Sequence, residues 1–531
     1  MRSMKFKKTA VLGGLLAGLI GVNALPASAQ VEQCTAPQPT SCVALNTGGS
    51  SAATPFMTQV PLNMLDQTPN LPIHYVNGNI TSPVTITAGK LHVWTGTRAG
   101  VPTIFRYSAT GSSDGVLKLQ NPTSDSRSLM HYLDHLASTC SSGPTLLTRA
   151  ADGKQYYEYT GCNTIIAGDL PMTMGMADVA GSSFHQVGPV TTVVKPLDQS
   201  MLTSAQAAIV PWQLLVGEHV KKNVGGVLQP VVGLNRTEIE AIFSRNVTDW
   251  TQVGLVTDVT TPGTPDASSP ITLCLRAAGS GSKAAFDETV MKDATETPSG
   301  STNLTLSADG VYFGSSTQDV QDCIRGNAGL SRPAHPRGIG YVDADVSVAT
   351  APGYPIKLDG LRASNIVVSS KSTSVATSTT LDDTAQDWVT NSLVNYSVKI
   401  TGGTGAGQTA TVTANAATQL TVAPAWATNP DTTSTYQIWT NLVDDPKATV
   451  KCGEYIYWAG ERLNTRNYSD PGISSDQIAL ASDFVTNSSS SSTIALLPAG
   501  DFWVAGADMY TFKNADAGPV SFKPGAHPCA Q

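Results

Sequence analysis

Arg276 closes the apolar run Thr272–Leu275 and is followed by Ala277, Ala278, Gly279, Ser280, Gly281 and Ser282, before a helix-compatible stretch from Lys283 to Met291. That order predicts a strand, a tight turn and a helix start. Unpaired backbone N–H groups and the positive end of a helix dipole converge at such a turn. Glycine permits close approach to the backbone, the Ser280 and Ser282 hydroxyls add donors, and the Arg276 guanidinium adds a charged fork. The chemistry this combination suits is the holding of an oxyanion. Its plainer alternative is a turn whose serines cap a helix and whose arginine pairs with a surface carboxylate.

Other spacings point elsewhere and lack their partners. Ser280-Gly-Ser-Lys283 fits the S-x-x-K pattern of serine acyl transfer, but the S-D-N-like and K-T-G-like elements that such chemistry needs are missing. His131 and His135 stand four apart, as zinc ligands on a helix would, without an HExxH motif or an obvious third ligand. A solvated helix face is the expected role for that pair. Phosphoester hydrolysis has no nucleophile or metal-ligand set. The expectation is a non-catalytic protein with no cofactor and no metal.

The elements that must position Arg276 follow from apolar spacing and punctuation. Asn235 can cap a helix from Arg236 to Ser244, with Glu238 completing a capping box, Leu234 and Ile239 a hydrophobic staple, and Ile239, Ile242 and Phe243 an apolar face. The spacing of Leu129, Met130, Tyr132, Leu133 and Leu136 predicts another helix, and Gly338–Val342 a buried strand. Strand and helix candidates alternate, so the class is α/β. From about residue 366 to 446 the chain turns Thr-, Val-, Ala- and Gly-rich with period-two alternation, predicting a small inserted all-β module in which Gly402–Gly407 is a hairpin turn. Trp388, Trp426 and Trp439 in that module are either its core or a glycan-facing platform.

Composition bounds the partners. Arg2, Lys5, Lys7 and Lys8, the apolar stretch Ala10–Leu25 and Ala27-Ser-Ala29 spell a secretory signal, with cleavage expected after about Ala29 and a periplasmic or extracellular destination. Removing it leaves 28 basic residues against 40 acidic, a net charge of -12. An acidic chain without basic runs is a poor match to nucleic acid or anionic lipid, so an anionic ligand needs local donors. The eight cysteines lie beyond the signal and form no CxxC. Export favours disulfides among about 105 full pairings. The pairing expected is Cys34–Cys42, Cys140–Cys162, Cys274–Cys323 and Cys452–Cys529, with local support for Cys140–Cys162 in the turn-rich segment around Gly153.

Taken together, Leu234-Asn-Arg-Thr-Glu-Ile-Glu-Ala-Ile-Phe243, Val247-Thr-Asp-Trp250, Leu275-Arg-Ala-Ala-Gly-Ser-Gly-Ser282 with Phe286, and Gly338-Ile-Gly-Tyr-Val342 resemble the substrate-binding proteins of phosphate-type ABC transporters, within the type II periplasmic binding-protein superfamily. The similarity extends to Thr95-Gly-Thr-Arg-Ala99, Gly175-Met-Ala-Asp178, Gly500–Trp503 and Gly518–Phe522. The resemblance implies two α/β lobes joined by crossing strands, with the ligand in the cleft between them. It implies that Arg276, Ser280, Gly281 and Ser282 form the anion loop, that Asp178 accepts a proton from a protonated oxyanion, and that Thr95 and Thr97 belong to the first binding loop. It also implies a small phosphate-like oxyanion as ligand and an ABC-transporter membrane component as partner.

The expected organisation is a signal at 1–29, an extended Thr/Pro/Ser-rich leader at 30–75, one lobe from 76–190, 341–365 and 447–531, a second from 191–340, and the β module at 366–446. Two features depart from the family pattern. Arg98 replaces a small residue of the first loop and Gly100-Val-Pro102 is a poor helix start, so that cradle is expected to be altered. The module is foreign to the basic binding protein, which makes a surface or self-assembly protein, built on the same scaffold and contacting partners through 366–446, the alternative. Gly111-Ser-Ser-Asp-Gly115 has no assigned role, because its spacing from Thr97 is short.

Overall fold

The structure of the protein, a computed structural model, describes residues 42–149, 151–184, 197–292, 302–344, 353–497, 502–525 and 528–529. Its main elements are β1 (Val43–Gly49), α1 (Thr54–Met64), β2 (Ile73–Asn77), β3 (Leu91–Arg98), β4 (Val101–Ala109), β5 (Ser142–Thr148), β6 (Gln155–Cys162), β7 (Met174–Ala177), β8 (Leu202–Gly217), α2 (Arg236–Phe243), β9 (Thr272–Arg276), α3 (Gly281–Phe286), β10 (Val311–Gly314), α4 (Thr317–Arg325), β11 (Gly338–Asp343), β12 (Gly353–Leu358), β13 (Trp458–Arg466) and α5 (Ser475–Ser488).

One hydrogen-bonded path runs β10-β9-β11-β8-β13-β7-β1-β4-β3-β2-β6-β5. In the first lobe β1 is parallel to both β4 and β7, and in the second β9 is parallel to both β10 and β11. β8 crosses between them. Its first part, Leu202–Pro211, pairs with β13, while Trp212–Gly217 pairs with β11 and β12. A single apolar core runs through both lobes, from Leu45 and Phe56 to Phe286 and Tyr341. This is the two-lobed α/β architecture expected from the sequence.

The inserted module is a six-stranded antiparallel sheet running from Ile366–Lys371 to Thr435–Trp439. Its edges are drawn together by the Thr373 N–H, which donates to the Asp382 carbonyl at 3.0 Å. It packs around its own core, in which Trp388 and Trp426 take part, and Trp439 is buried as well. A glycan-facing tryptophan platform is therefore ruled out. The Gly402–Gly407 stretch links two paired strands, as a hairpin should. The module leaves and rejoins the body at one place, where Thr440 N–H donates to the Asn365 carbonyl and Asn365 N–H to the Pro446 carbonyl, both at 2.8 Å.

The N-terminal segment corrects the expected leader. Val43–Gly49 is a buried strand at the centre of the first sheet, and α1 packs Phe56, Met57 and Val60 into the core. Between two parallel neighbours both faces of a strand are covered, so the alternation that announces a strand is lost. Of 341–365, expected in the first lobe, the described strand residues 341–343 and 353–356 instead pair in the second through β11 and β12. The helix expected at Leu129–Leu136 is extended chain: Leu129–Met130 pair with Leu170–Pro171, and Leu133 bridges to Ile165. His131 and His135 consequently share no helix face. His131 Nδ1 lies 2.6 Å from Asp169, while His135 packs against Tyr75.

Three of the expected disulfides are formed, Cys140–Cys162, Cys274–Cys323 and Cys452–Cys529. Cys34 and residues 1–41, including the signal, lie outside the described residues. Among the described residues no helix is long and apolar enough to cross a membrane. Helix α2 carries the anticipated box: Asn235 Oδ1 accepts from Glu238 N–H at 2.9 Å, and Glu238 Oε2 accepts from Asn235 N–H at 2.8 Å.

Beneath the first sheet His74, His92 and Trp94 stack, with His74 Nδ1 3.0 Å from Glu158 and His74 Nε2 3.2 Å from His92 Nδ1. Burial holds both imidazoles below their ordinary value of 6.5, His92 at about 3. The unfolded chain then takes up protons below pH 6.5 that the folded chain refuses, so stability falls as the pH drops from 6.5 toward 3. Chemical denaturation at a series of pH values should show an acid slope from His92 approaching about 1.4 kcal/mol per pH unit. His92→Gln should flatten that slope; an unchanged slope would show that His92 is not its source.

Candidate functional site

Parallel strands present their carboxyl ends to one side of a sheet, and in open α/β sheets that rim is where ligands are gripped. Here six strand ends meet between the lobes. β1 delivers Ser50, β4 delivers Gly111–Ser113, and β7 delivers Asp178 from the first lobe. From the second, β9 ends in Arg276, β10 leads to Ser315 and Thr317, and β11 ends in Asp343. Lys90 joins them because β3 runs antiparallel to β4, which sets its start, Leu91, opposite Ser108.

Arg276 is buried, at 4% exposure, and its fork is nearly fully engaged. Nη1 donates to Ser282 Oγ at 3.0 Å and Thr317 Oγ1 at 3.3 Å, and Nη2 to the Ser315 carbonyl at 3.0 Å. Its Nε is buried without a partner among the described residues. The Ser280 and Ser282 hydroxyls lie 2.9 Å apart, and Ser280 Oγ caps α3 by accepting from Lys283 N–H. Tyr457, on the crossing chain, donates to the Ser282 carbonyl at 3.0 Å. The Lys283 ammonium is taken up by Asp287 at 2.6 Å, which leaves Ser280 without the basic partner that acyl transfer would require.

Asp178 faces this loop across the lobe boundary. Its Oδ1 accepts from the Ser50 hydroxyl, and Ser50 in turn orients Ala52 and Ala53 N–H at the start of α1. A Cβ on Gly281 would stand 2.5 Å from Asp178 Oδ2 and 2.5 Å from Ser112 Oγ, so only glycine lets these three close together. Ser113 N–H donates to the Gly279 carbonyl at 3.1 Å, tying the lobes directly.

The charge balance is mixed. Arg276 and Lys90 are opposed by Asp178, Asp343 and, on β13, the fully buried Glu461. Burial lowers the Lys90 pKa, and the nearby Arg276 lowers it further. Burial raises that of Asp343, and raises that of Glu461 well above the carboxylate range with Asp178 adding to the effect. The burial that raises both acids works against further negative charge beside Arg276 and Lys90, the direction an anion requires.

Of the residues expected at the site, Arg276, Ser280, Gly281, Ser282 and Asp178 converge. Thr95 and Thr97 do not. They lie in mid-β3 and at its far end, opposite Ile104 and Pro102, with Thr97 about 23 Å of strand from Lys90. Thr97 Oγ1 donates to Asp66 at 2.9 Å and Arg98 pairs with Asp483 on α5, so the departure at Arg98 has no bearing on the cleft. The strand-to-helix turn that reaches this boundary from the first lobe is Gly48–Ala53. Its strand, glycine-serine turn and helix repeat the grammar of the Arg276 loop, a signal present in the sequence. Gly111–Gly115, which had no assigned role, enters the cleft. Lys90, Asp343 and Glu461 carry no local motif.

No family model matches the chain, and no curated protein sequence matches it. Solved structures similar to it include a protein described as a phosphate ABC transporter substrate-binding protein, with phosphate bound, from Clostridium perfringens, at 12% identity, covering 87% of this chain and 99% of that one with a TM-score of 0.40. Others are an ABC-type phosphate transport receptor from Vibrio cholerae (11% identity, 86% and 96% covered, TM-score 0.34) and a phosphate-binding protein from Stenotrophomonas maltophilia (11%, 85% and 83%, 0.33). The case for a ligand stands on the cleft's own residues.

Proposed function

We propose that the protein is an exported, non-catalytic solute-binding protein that holds a small phosphate-like oxyanion between its lobes. What supports this most is the convergence of Arg276, Ser280, Ser282, Ser112, Ser50 and Asp178 from both lobes on one lobe boundary. Arg276 supplies charge-assisted donors, and the serines supply hydroxyls that at present satisfy one another. Asp178 is the acceptor that favours an oxyanion carrying a proton over one that carries none. An ABC-transporter membrane component would be the partner that recognises the closed form.

The test is a melting-temperature panel with phosphate, sulfate and molybdate. Phosphate at a hundred times its dissociation constant should stabilise the protein by about 2.7 kcal/mol. No shift with any of the three would remove the reading. The alternative, a surface or assembly protein acting through 366–446, draws support from the module's own core and from its departure and return at neighbouring residues. It predicts concentration-dependent association that is indifferent to anions.

A further inference from the structure

Glu461 has no role in the reading above, yet it stands directly behind Asp178. β13 pairs antiparallel to β7 with Arg462 opposite Ala177, so the next pair outward sets Glu461 beside Asp178 on the same face. Neighbouring side chains turn the other way: Arg462 reaches Asp516. Glu461 is fully buried, and neither of its oxygens receives an N–H or O–H donor among the described residues. The carboxyl that the strand pairing sets beside it is that of Asp178, whose charge adds to burial in raising the Glu461 pKa. Two carboxyl groups hydrogen bond only when a proton lies between them.

We propose that Glu461 is a positioning residue for the oxyanion, holding a proton against Asp178 so that the pair carries one negative charge and Asp178 keeps its free oxygen aimed at the ligand. This rests on the oxyanion reading of the cleft. The arrangement is over-determined by position: Ser50 fixes Asp178 Oδ1, Glu461 backs the same carboxyl, and Asp178 Oδ2 looks past Gly281 and Ser112 toward the Arg276 loop. The other titratable groups facing Glu461 are Asp343 and the Tyr107 hydroxyl. Neither is a cation that could hold a second negative charge there, and burial with the neighbouring carboxylates keeps the proton on. Loss of that proton would set two adjacent charges facing the ligand and repel it. The pair therefore makes binding sensitive to alkali, through a group one layer removed from the ligand.

Two measurements test this. Infrared difference spectra of the ligand-free protein at pH 7 should contain a protonated-carboxyl carbonyl band that Glu461→Gln removes; absence of the band, or its persistence in the variant, overturns the shared proton. Calorimetric phosphate affinity, measured from pH 6 to 10, should fall in the wild type by about tenfold per pH unit once the pair loses its proton. Glu461→Gln, whose amide still donates to Asp178, should lack that fall, whereas parallel profiles would overturn the positioning role. Should Glu461→Gln fail to fold, Glu461→Met serves the same purpose, since it too removes the ionisable group and leaves Asp178 as the single charge of the pair. If phosphate binds to neither protein at any pH, the oxyanion reading itself is at fault and the ligand half of this proposal goes with it, while the infrared band still decides the proton.

Discussion

Arg276→Ala is expected to weaken phosphate binding by roughly 1.5–3 kcal/mol, about 10- to 150-fold, measured by titration calorimetry. The guanidinium touches Ser282 of its own loop and Thr317 of the next, so its loss removes the charged donor and leaves Ser282 held through Ser280 alone. It also removes the positive charge that opposes Asp343. Arg276→Lys should recover part of the affinity, because it restores the charge without the planar fork. An unchanged dissociation constant in Arg276→Ala would exclude this loop as the binding element.

A single methyl group at Gly281 should produce the second large effect. The backbone there does not require glycine for its torsions, since Gly281 is absent from the positive-φ positions and opens a helix in which alanine is favoured. The constraint is space: the new Cβ would overlap Asp178 and Ser112 of the opposite lobe at 2.5–2.7 Å. Gly281→Ala should therefore fold normally yet resist closure, with overpacking costing about 1–3 kcal/mol in affinity. Small-angle scattering would show the variant remaining more expanded than the wild type when phosphate is added. Equal compaction in both would mean that the ligand-bound form does not use this contact.

What the sequence disclosed about the site was local in nature. The Arg276 loop and the Asn235 cap are each written within about ten consecutive residues, and the structure builds both. β1 escaped notice because burial on two faces erases alternation, and its Thr- and Gly-rich spelling resembles a linker. Thr95-Gly-Thr97 misled for the opposite reason: it is spelled like a turn but is held extended by pairing with β4 on one side and, at Thr95, β2 on the other. Lys90, Asp343 and Glu461 reach one place only through strand order, with nothing in their neighbours to announce it.

The paired ends of the inserted module have a mechanical implication. The chain departs and returns at Asn365 and Thr440, joined both through the backbone and by Thr440 Oγ1 donating to Asn365 Oδ1 at 2.9 Å, and the module rests beside the second lobe, where Arg362 Nη2 donates to Tyr396 Oη at 3.3 Å. A surface or second molecule that gripped it would hold the protein by one lobe. The jaws would remain free to open and shut while the whole was anchored.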